Sequence, residues 1–306
     1  MATLIIISPC RNEADYMRKT LDSVINTPRQ PDLWVIVNDG STDESGTILA
    51  EYAAKWDFIE VVDKPDRGQR SVGPGVIETF NYGLDTVDYR DFDYLCKLDL
   101  DLTLPDGYFD RLITKMEADP QLGTCSGKAF FKNKRDQWVS EGTGDDMSAG
   151  MTKLYRTACY DDIGGFVREV MWDGIDCHTA RMKGWKAFSF GDEELRFEHL
   201  RPMGSSQKGI LTGRARHGFG QYFMGSDPIY FLATCVYRLN YPPYFIGSLA
   251  TMFGFFRAAL QSQPQYDDLE FRKFLRRYQR RVLRVGKQRA CAEVLGTWKG
   301  EAAQPA

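Results

Sequence analysis

The first hundred residues alternate short β-branched apolar runs with stretches of helical periodicity, and this alternation constrains the fold more than any other feature. Thr3 to Ser8 reads as a buried strand. Asn12 to Asn26 reads as a helix through Tyr16, Leu21, Val24 and Ile25, and Leu33 to Val37 as a second buried strand. A helix from Asp43 to about Trp56, a strand over Phe58 to Val62, a helix ending near Leu84 and a strand over Tyr94 to Leu98 follow. The order β-α-β-α-β-α-β with short connections predicts an α/β, Rossmann-like, mostly parallel sheet with helices on both faces. After Leu122 the pattern turns mixed. Strands are expected over 122–132 and 185–199, separated by a Gly- and Asp-rich loop and a helix from Ile175 to Lys183.

Composition narrows the class. With 306 residues, 43% hydrophobic and 26% charged, the chain is globular; this excludes a disordered tail, a collagen-like rod and a small disulfide scaffold. The seven cysteines form no C-x-x-C pair, which speaks against a zinc site or disulfide framework and suits a reducing compartment. Ile5 to Ile7 is too short an apolar run for a secretory leader, and Arg11 and Glu13 follow at once. The net charge of -3 hides an asymmetry: from Arg201 onward there are 16 Lys and Arg against 6 Asp and Glu. The first two thirds are acidic and the last third is basic, which suggests a polyanionic partner for the latter.

In open α/β sheets, ligands bind beyond the carboxyl ends of the strands. The segments at those ends are Pro9 to Glu13, Asn38 to Asp43, Arg67 to Arg70 and Asp99 to Asp101. No G-x-G-x-x-G or Walker A motif appears there, which argues against dehydrogenases and P-loop NTPases. Asp99 and Asp101, two apart on an extended chain, point to one face. Adjacent carboxylates repel unless a cation lies between them, and hard Mg²⁺ or Mn²⁺ prefers oxygen ligands. The same pair also fits a surface cap before the helix signalled by Leu104-Pro105-Asp106.

Several ordered motifs together resemble inverting family 2 glycosyltransferases of the A fold. They are Ser8-Pro9-Cys10-Arg11-Asn12-Glu13, Val37-Asn38-Asp39-Gly40-Ser41-Thr42-Asp43, Asp99-x-Asp101, Gly150-Met151-Thr152-Lys153-Leu154-Tyr155-Arg156 and Ile163-Gly164-Gly165-Phe166. Asn38 departs from the acidic residue typical of the second motif. The resemblance covers about residues 1–200. It implies that Pro9, Arg11 and Glu13 line the base pocket of a nucleotide-sugar and that Asp39 bonds the base. A carboxylate there can accept the single ring N–H of uracil. Asp43 is expected only to cap a helix. Arg67 and Arg70 lie on a loop that faces the nucleotide in the family and either neutralise phosphate or are solvated.

The resemblance further implies that Asp99 and Asp101 hold Mg²⁺ or Mn²⁺, with His199 after the last strand as a third ligand. It implies a general base at the start of the helix after Trp172: Asp173, taken to lie in the loop before the helix, or Asp176, where a carboxylate also favours the helix dipole. His178 reads as scaffold or acceptor wall. In the segment from Gly204 to Gly225, Lys208, Arg214, Arg216 and His217 are basic, and Arg214 and Arg216, or alternatively Arg201, are candidates to meet the diphosphate.

In the last third, Tyr241 to Phe256 carries no charge but is short of the roughly 20 residues that span a bilayer. Phe271 to Arg289 carries nine Lys and Arg and no acid. Three readings stand: an interfacial segment on an anionic membrane, a helical pair packed on the protein, or a homodimer surface. No nucleic-acid partner is expected, because no recognition motif accompanies the charge. The sequence therefore predicts a nucleotide-sugar-binding catalytic domain over 1–200 and a basic, apolar helical region over 201–306. It predicts sugar transfer from a UDP-sugar to a saccharide or lipid-linked acceptor, at the cytoplasmic face of a membrane in envelope or exopolysaccharide synthesis. A sugar nucleotidyltransferase and a non-catalytic nucleotide-sugar-binding module are the alternatives.

Overall fold

A computed structural model describes residues 2–68, 73–133, 135–142, 144–201, 209–241 and 243–297. The chain divides into two compact units, the first comprising residues 1–168 and 187–203, the second 169–186 and 204–306. The chain thus crosses between the units three times, after residues 168, 186 and 203, and residues 169–186 group with the C-terminal unit.

The first unit runs β1 (Leu4–Cys10), α1 (Met17–Ile25), β2 (Leu33–Asp39), α2 (Ser45–Ala53), β3 (Ile59–Lys64), α3 (Pro74–Leu84), β4 (Tyr94–Leu98), β5 (Leu102–Thr103), α4 (Tyr108–Ala118), β6 (Leu122–Ser126), β7 (Lys128–Lys132), β8 (Trp138–Ser140), β9 (Thr152–Arg156), α5 (Thr157–Ile163), β10 (Lys186–Ser189) and β11 (Arg196–His199). Seven strands form one sheet in the order β10-β6-β9-β4-β1-β2-β3. β1, β2, β3 and β4 are parallel, with β1 between β2 and β4. The apolar runs of β1, β2 and β4 are buried on both faces, as a parallel sheet requires, while the edge strand β3 buries only Ile59. Trp34, fully buried on β2, has its indole N–H satisfied by Ser8 Oγ at 2.9 Å.

Two departures from the sequence reading matter for the site. The sheet carries an antiparallel strand, β9, between β4 and β6. Its segment looks too cationic for a core strand, yet Lys153 is buried near the Tyr155 ring and Arg156 crosses the Tyr94 ring while donating to the Leu122 carbonyl. The expected strand over 122–132 is two strands in two sheets. The chain leaves the large sheet at Gly127, where a Cβ would sit 1.8 Å from the Leu195 carbonyl oxygen. β7 then joins a four-stranded sheet, β5-β11-β7-β8.

The second unit holds α6 (Trp172–Met182), α7 (Ile210–Phe223), α8 (Pro228–Tyr237), α9 (Tyr244–Leu260), α10 (Leu269–Val285) and α11 (Lys287–Thr297). α7 and α9 touch backbone to backbone: a Cβ on Gly218 would meet the Thr251 carbonyl oxygen at 1.8 Å, and one on Gly254 the Ala215 carbonyl oxygen at 1.9 Å. α8 closes on α9 through Phe231 stacked on Phe255, ring centroids 4.1 Å apart. α10 is amphipathic and buries Phe271, Phe274, Leu275 and Tyr278. Its apolar side is therefore spent inside the unit. No helix among the described residues is long and apolar enough to cross a membrane.

Candidate active site

The carboxyl ends of β1, β2 and β4 present the motif residues. The first two turns are tied together. Asn12, in the left-handed region at φ 55°, accepts from the Thr42 N–H at 2.8 Å and donates its own N–H to Ser41 Oγ. The Glu13 N–H donates to Ser45 Oγ at 2.9 Å. These bonds occupy the residues before Met17, which is why α1 starts later than the periodicity suggests. Asp43 accepts the N–H groups of Ser45 and Ala14 and so joins the two turns, while the N-cap position of α2 is Glu44 and not the expected Asp43.

Asp39 closes β2, level with Lys64 across the parallel register. Its carboxylate accepts from Lys64 Nζ at 3.1 Å and from the Arg67 guanidinium, and Arg11 Nη1 lies 3.8 Å from it. Arg11 also donates to the Asp39 carbonyl and pairs with Asp66 at 2.8 Å. Arg67 is neither solvated nor open: it reaches Glu78, the Gly75 carbonyl and Thr79 Oγ1 as well. Its charge thus anchors Asp39. Pro9 lies on β1 beside Val37. Arg70 lies outside the described residues.

β4 ends at Leu98, and the chain returns through Asp99 and Asp101 into β5. β5 pairs antiparallel with β11, setting His199 opposite Leu102, and the Leu200 N–H donates to the Asp101 carbonyl at 2.9 Å. This pairing brings residues a hundred positions apart onto one carboxylate. Arg201 donates to Asp101 Oδ2 at 2.7 Å and to Glu13 Oε1 at 2.9 Å. His199 Nε2 lies 3.6 Å from Asp101 Oδ2, and His199 Nδ1 lies 2.9 Å from Glu141 Oε1. The carboxylate of Glu141 accepts, so Nδ1 carries the proton and Nε2 faces Asp101. These side chains are almost dry, with exposures of 8% for Asp101, 9% for His199 and 3% for Glu141. Asp99 is turned to Lys97, which also donates to the Gly150 carbonyl.

The charges follow from these contacts. Burial works against the imidazolium, but the bonds and charges of Asp101 and Glu141 outweigh it and push His199 up to about 9. Burial would raise the Asp101 carboxyl, yet His199 and Arg201 hold it below the usual carboxylate range. Asp99 moves the other way: burial raises it, against the attraction of Lys97.

Asp101 and His199 are one oxygen and one nitrogen donor 3.6 Å apart, a pair whose chemistry would suit holding a divalent ion. Among the described residues, no three His, Cys, Asp or Glu side chains form a complete metal cage. An ion here would keep waters or take ligand oxygens, as Mg²⁺ commonly does.

Residues 5–171, more than half of the chain, match the family described as Glycosyl transferase family 2. The chain belongs to this family. Poly-beta-1,6-N-acetyl-D-glucosamine synthases of Staphylococcus epidermidis and of Staphylococcus aureus (strain MSSA476) are each 28% identical over 125 residues, 41% of this chain. The chain covers only 28% of the length of these curated relatives. The fold is similar to that of the mannosyltransferase PcManGT from Pyrobaculum calidifontis in complex with GDP-Man and Mn²⁺. There the TM-score is 0.54 and the identity 17%, over 98% of this chain and 87% of that one. It is also similar to residues 1–349 of S. aureus TarS in complex with UDP-GlcNAc, with TM-score 0.53 and identity 14% over 97% and 91% of the two chains. GalNAc-T7 with UDP, GalNAc and Mn²⁺ gives TM-score 0.57 and identity 14% over 90% and 54%. The α/β architecture is the glycosyltransferase A fold.

Other residues expected to work in this family 2 chain stand in the second unit. α6 begins at Trp172, three residues before the expected Ile175, because Met171 at φ 71° sets its start. Asp173 is therefore inside the first turn, not in the loop before it, and Asp176 is buried one turn on. His178 is scaffold: its Nδ1 lies 2.8 Å from Arg181, whose guanidinium stands over the Tyr278 ring. Arg214 and Arg216 lie on α7. Burial, with Arg238 and Arg214 nearby, pushes His217 down to about 4, so it is neutral. Gly204 and Lys208 lie outside the described residues.

Sequence reasoning missed the contact of Glu141 with His199 and the pairing of Arg201 with Glu13. Glu141 sits in a loop with no motif. Its only signal is that a buried imidazole needs a partner on its second nitrogen.

Proposed function

We propose that this chain transfers a sugar from a nucleotide-sugar, in the first instance a UDP-sugar, to a saccharide or lipid-linked acceptor with inversion. The observation that carries this reading is the convergence of Glu13, Arg201, Asp101, His199 and Glu141 at the strand ends where A-fold ligands lie. Family membership supports sugar transfer. The nucleotides and Mn²⁺ named for the similar structures support a nucleotide donor and a divalent ion.

In this reading, Asp39 accepts a base N–H while Arg67 and Lys64 fix its orientation, and Pro9 and Arg11 wall the base. Asp101 and His199 hold Mg²⁺ or Mn²⁺, with Asp99 beside them. When bound, the ion supplies positive charge that stabilises the departing diphosphate. Glu141 keeps the His199 tautomer that leaves Nε2 open toward Asp101. Arg201 adds a fixed cation for the diphosphate, with Arg214 and Arg216 as further candidates. A carboxylate of α6 takes the proton of the acceptor hydroxyl as its oxygen attacks the anomeric carbon, so that a single displacement inverts the centre. Asp173 is assigned this role ahead of Asp176, because the burial of Asp176 suits a structural one.

The acidic strand-end motifs favour a transferase over a nucleotidyltransferase, whose Gly-rich loop after the first strand is absent. Acceptors in envelope or exopolysaccharide synthesis, at the cytoplasmic face of a membrane, would suit the basic and apolar C-terminal unit through peripheral contact with lipid. The test is UDP release from a panel of UDP-sugars with Mn²⁺ or Mg²⁺. Wild type should release UDP only with metal, and Asp101→Ala should lose this. Asp173→Asn should keep UDP binding but lose roughly a hundredfold or more in turnover. Release that ignores metal would overturn the metal assignment, and full turnover in Asp173→Asn would move the base to Asp176.

A further inference from the structure

α8 and α9 form a hairpin whose inner sides pack on each other and whose outer sides are apolar and bare. On α8 the stripe is Ile229, Leu232 and Val236; on α9 it runs through Phe245, Leu249, Phe253, Phe256 and Leu260 at helical spacing. Leu260 is 86% exposed, Ile229 67% and Phe245 63%. Isolated apolar residues on a surface are ordinary, but a contiguous stripe on two adjoining helices marks a contact face. The turn of the hairpin carries three exposed tyrosines, Tyr237, Tyr241 and Tyr244, and amphipathic rings of this kind favour the headgroup level of a bilayer.

The charges decide what covers this face. From Pro228 to Gln265 there is no acid, while Arg238 stands at the turn and Arg257 near the end of α9, both exposed. The one acid at the margin, Asp227, is spent on the Ile229 and Tyr230 N–H groups and on Arg280 at 2.6 Å. Lys273, Arg277 and Arg284 of α10 are exposed as well. A second copy would bring the same excess of positive charge, whereas an anionic lipid surface complements it. At about 1.5 Å per residue, the 17 residues of α9 reach about 25 Å, short of a bilayer core, so the hairpin can lie in the interface but not span it.

We propose that the outer face of the α8–α9 hairpin docks this protein flat on an anionic phospholipid bilayer. This rests on the membrane reading given above and narrows it to one surface: the basic helix α10 keeps its apolar side inside the unit, and the outer face of the hairpin inserts.

The test is flotation of the full chain with phosphatidylglycerol–phosphatidylcholine vesicles and with phosphatidylcholine vesicles alone. UDP binding is measured separately by calorimetry. Wild type should float with the anionic vesicles, less with the neutral ones, and less again as salt rises. Phe245→Ser/Leu249→Ser/Phe253→Ser should weaken vesicle binding about a hundredfold and leave UDP binding unchanged. Arg238→Gln/Arg257→Gln, which removes no apolar side chain, should weaken binding to the anionic vesicles about tenfold and so tests the claim even if the triple variant folds poorly. Wild type that stays at the bottom of the gradient would overturn the proposal. So would vesicle binding unchanged in both variants, or a solution dimer that the triple variant dissociates without any vesicle binding by wild type. Vesicle binding without UDP binding would instead leave the docking face standing and remove the donor reading.

Discussion

Asp39 and Asp101 are both buried carboxylates at strand ends, and they are neutralised in different ways. Asp39 faces fixed charges, Lys64, Arg67 and Arg11, supplied by the ends of neighbouring strands and their loops. Asp101 faces one fixed charge, Arg201, and one titratable group, His199, brought by β11 from far along the chain. A carboxylate surrounded by arginine and lysine is locked in place. A carboxylate beside an imidazole whose proton can leave is able to exchange that proton for a metal ion. The first arrangement suits recognition of a base; the second suits a site whose cation comes and goes with the ligand.

The largest effect that would break this contrast is expected from Asp101→Ala. It should abolish metal-dependent UDP release, a loss of roughly a thousandfold or more, while UDP binding without metal persists. Asp39→Ala should do the reverse in kind and less in size. Donor binding should weaken by about 10- to 100-fold, as for one lost hydrogen bond to a charged group, with the metal dependence intact; titration calorimetry separates the two. A metal-dependence defect in Asp39→Ala would merge the two sites into one.

Glu141→Gln sharpens the comparison at the second nitrogen of His199. An amide oxygen still accepts the Nδ1 proton but carries no charge, so Mn²⁺ affinity should fall by about 10- to 100-fold. The readout is Mn²⁺ binding followed by electron paramagnetic resonance, and an unchanged affinity would make Glu141 a structural residue only. The smallest effect concerns pH. In chelator-treated protein, His199 is raised to about 9 from an ordinary 6.5. The folded state thus binds a proton more tightly than the unfolded chain. The resulting stabilisation is complete below the unfolded value and is lost as pH rises through about 9. Thermal melts from neutral to alkaline pH should show this slope, and His199→Asn should flatten it.

What the sequence made legible follows the same division. The strands β1, β2 and β4 were readable because a strand buried on both faces is a continuous apolar run, and Asp39, Asp99 and Asp101 stood out at or just after their ends. β9 was hidden because Lys153 and Arg156 break its apolar run while their stems and charges are absorbed by Tyr155, Tyr94 and carbonyl oxygens. The partners of Asp101 were legible only in part. His199 follows from the family pattern, but Glu141 and the Arg201–Glu13 link depend on the pairing of β5 with β11 and on a loop after β8, and no local spacing records them. In the second unit, hydropathy and charge signalled an unusual surface but left membrane, packed-pair and dimer readings open, because only the packing shows that α10 buries its apolar side while α9 leaves an apolar side exposed.

The central claim is that this protein holds a nucleotide together with a divalent ion at Asp101 and His199. Calorimetry of UDP with and without Mn²⁺, on wild type and Asp101→Ala, tests it directly. The account predicts Mn²⁺-enhanced UDP binding in wild type and no enhancement in the variant. Equal enhancement in both would contradict it, as would wild-type protein that binds no UDP at all.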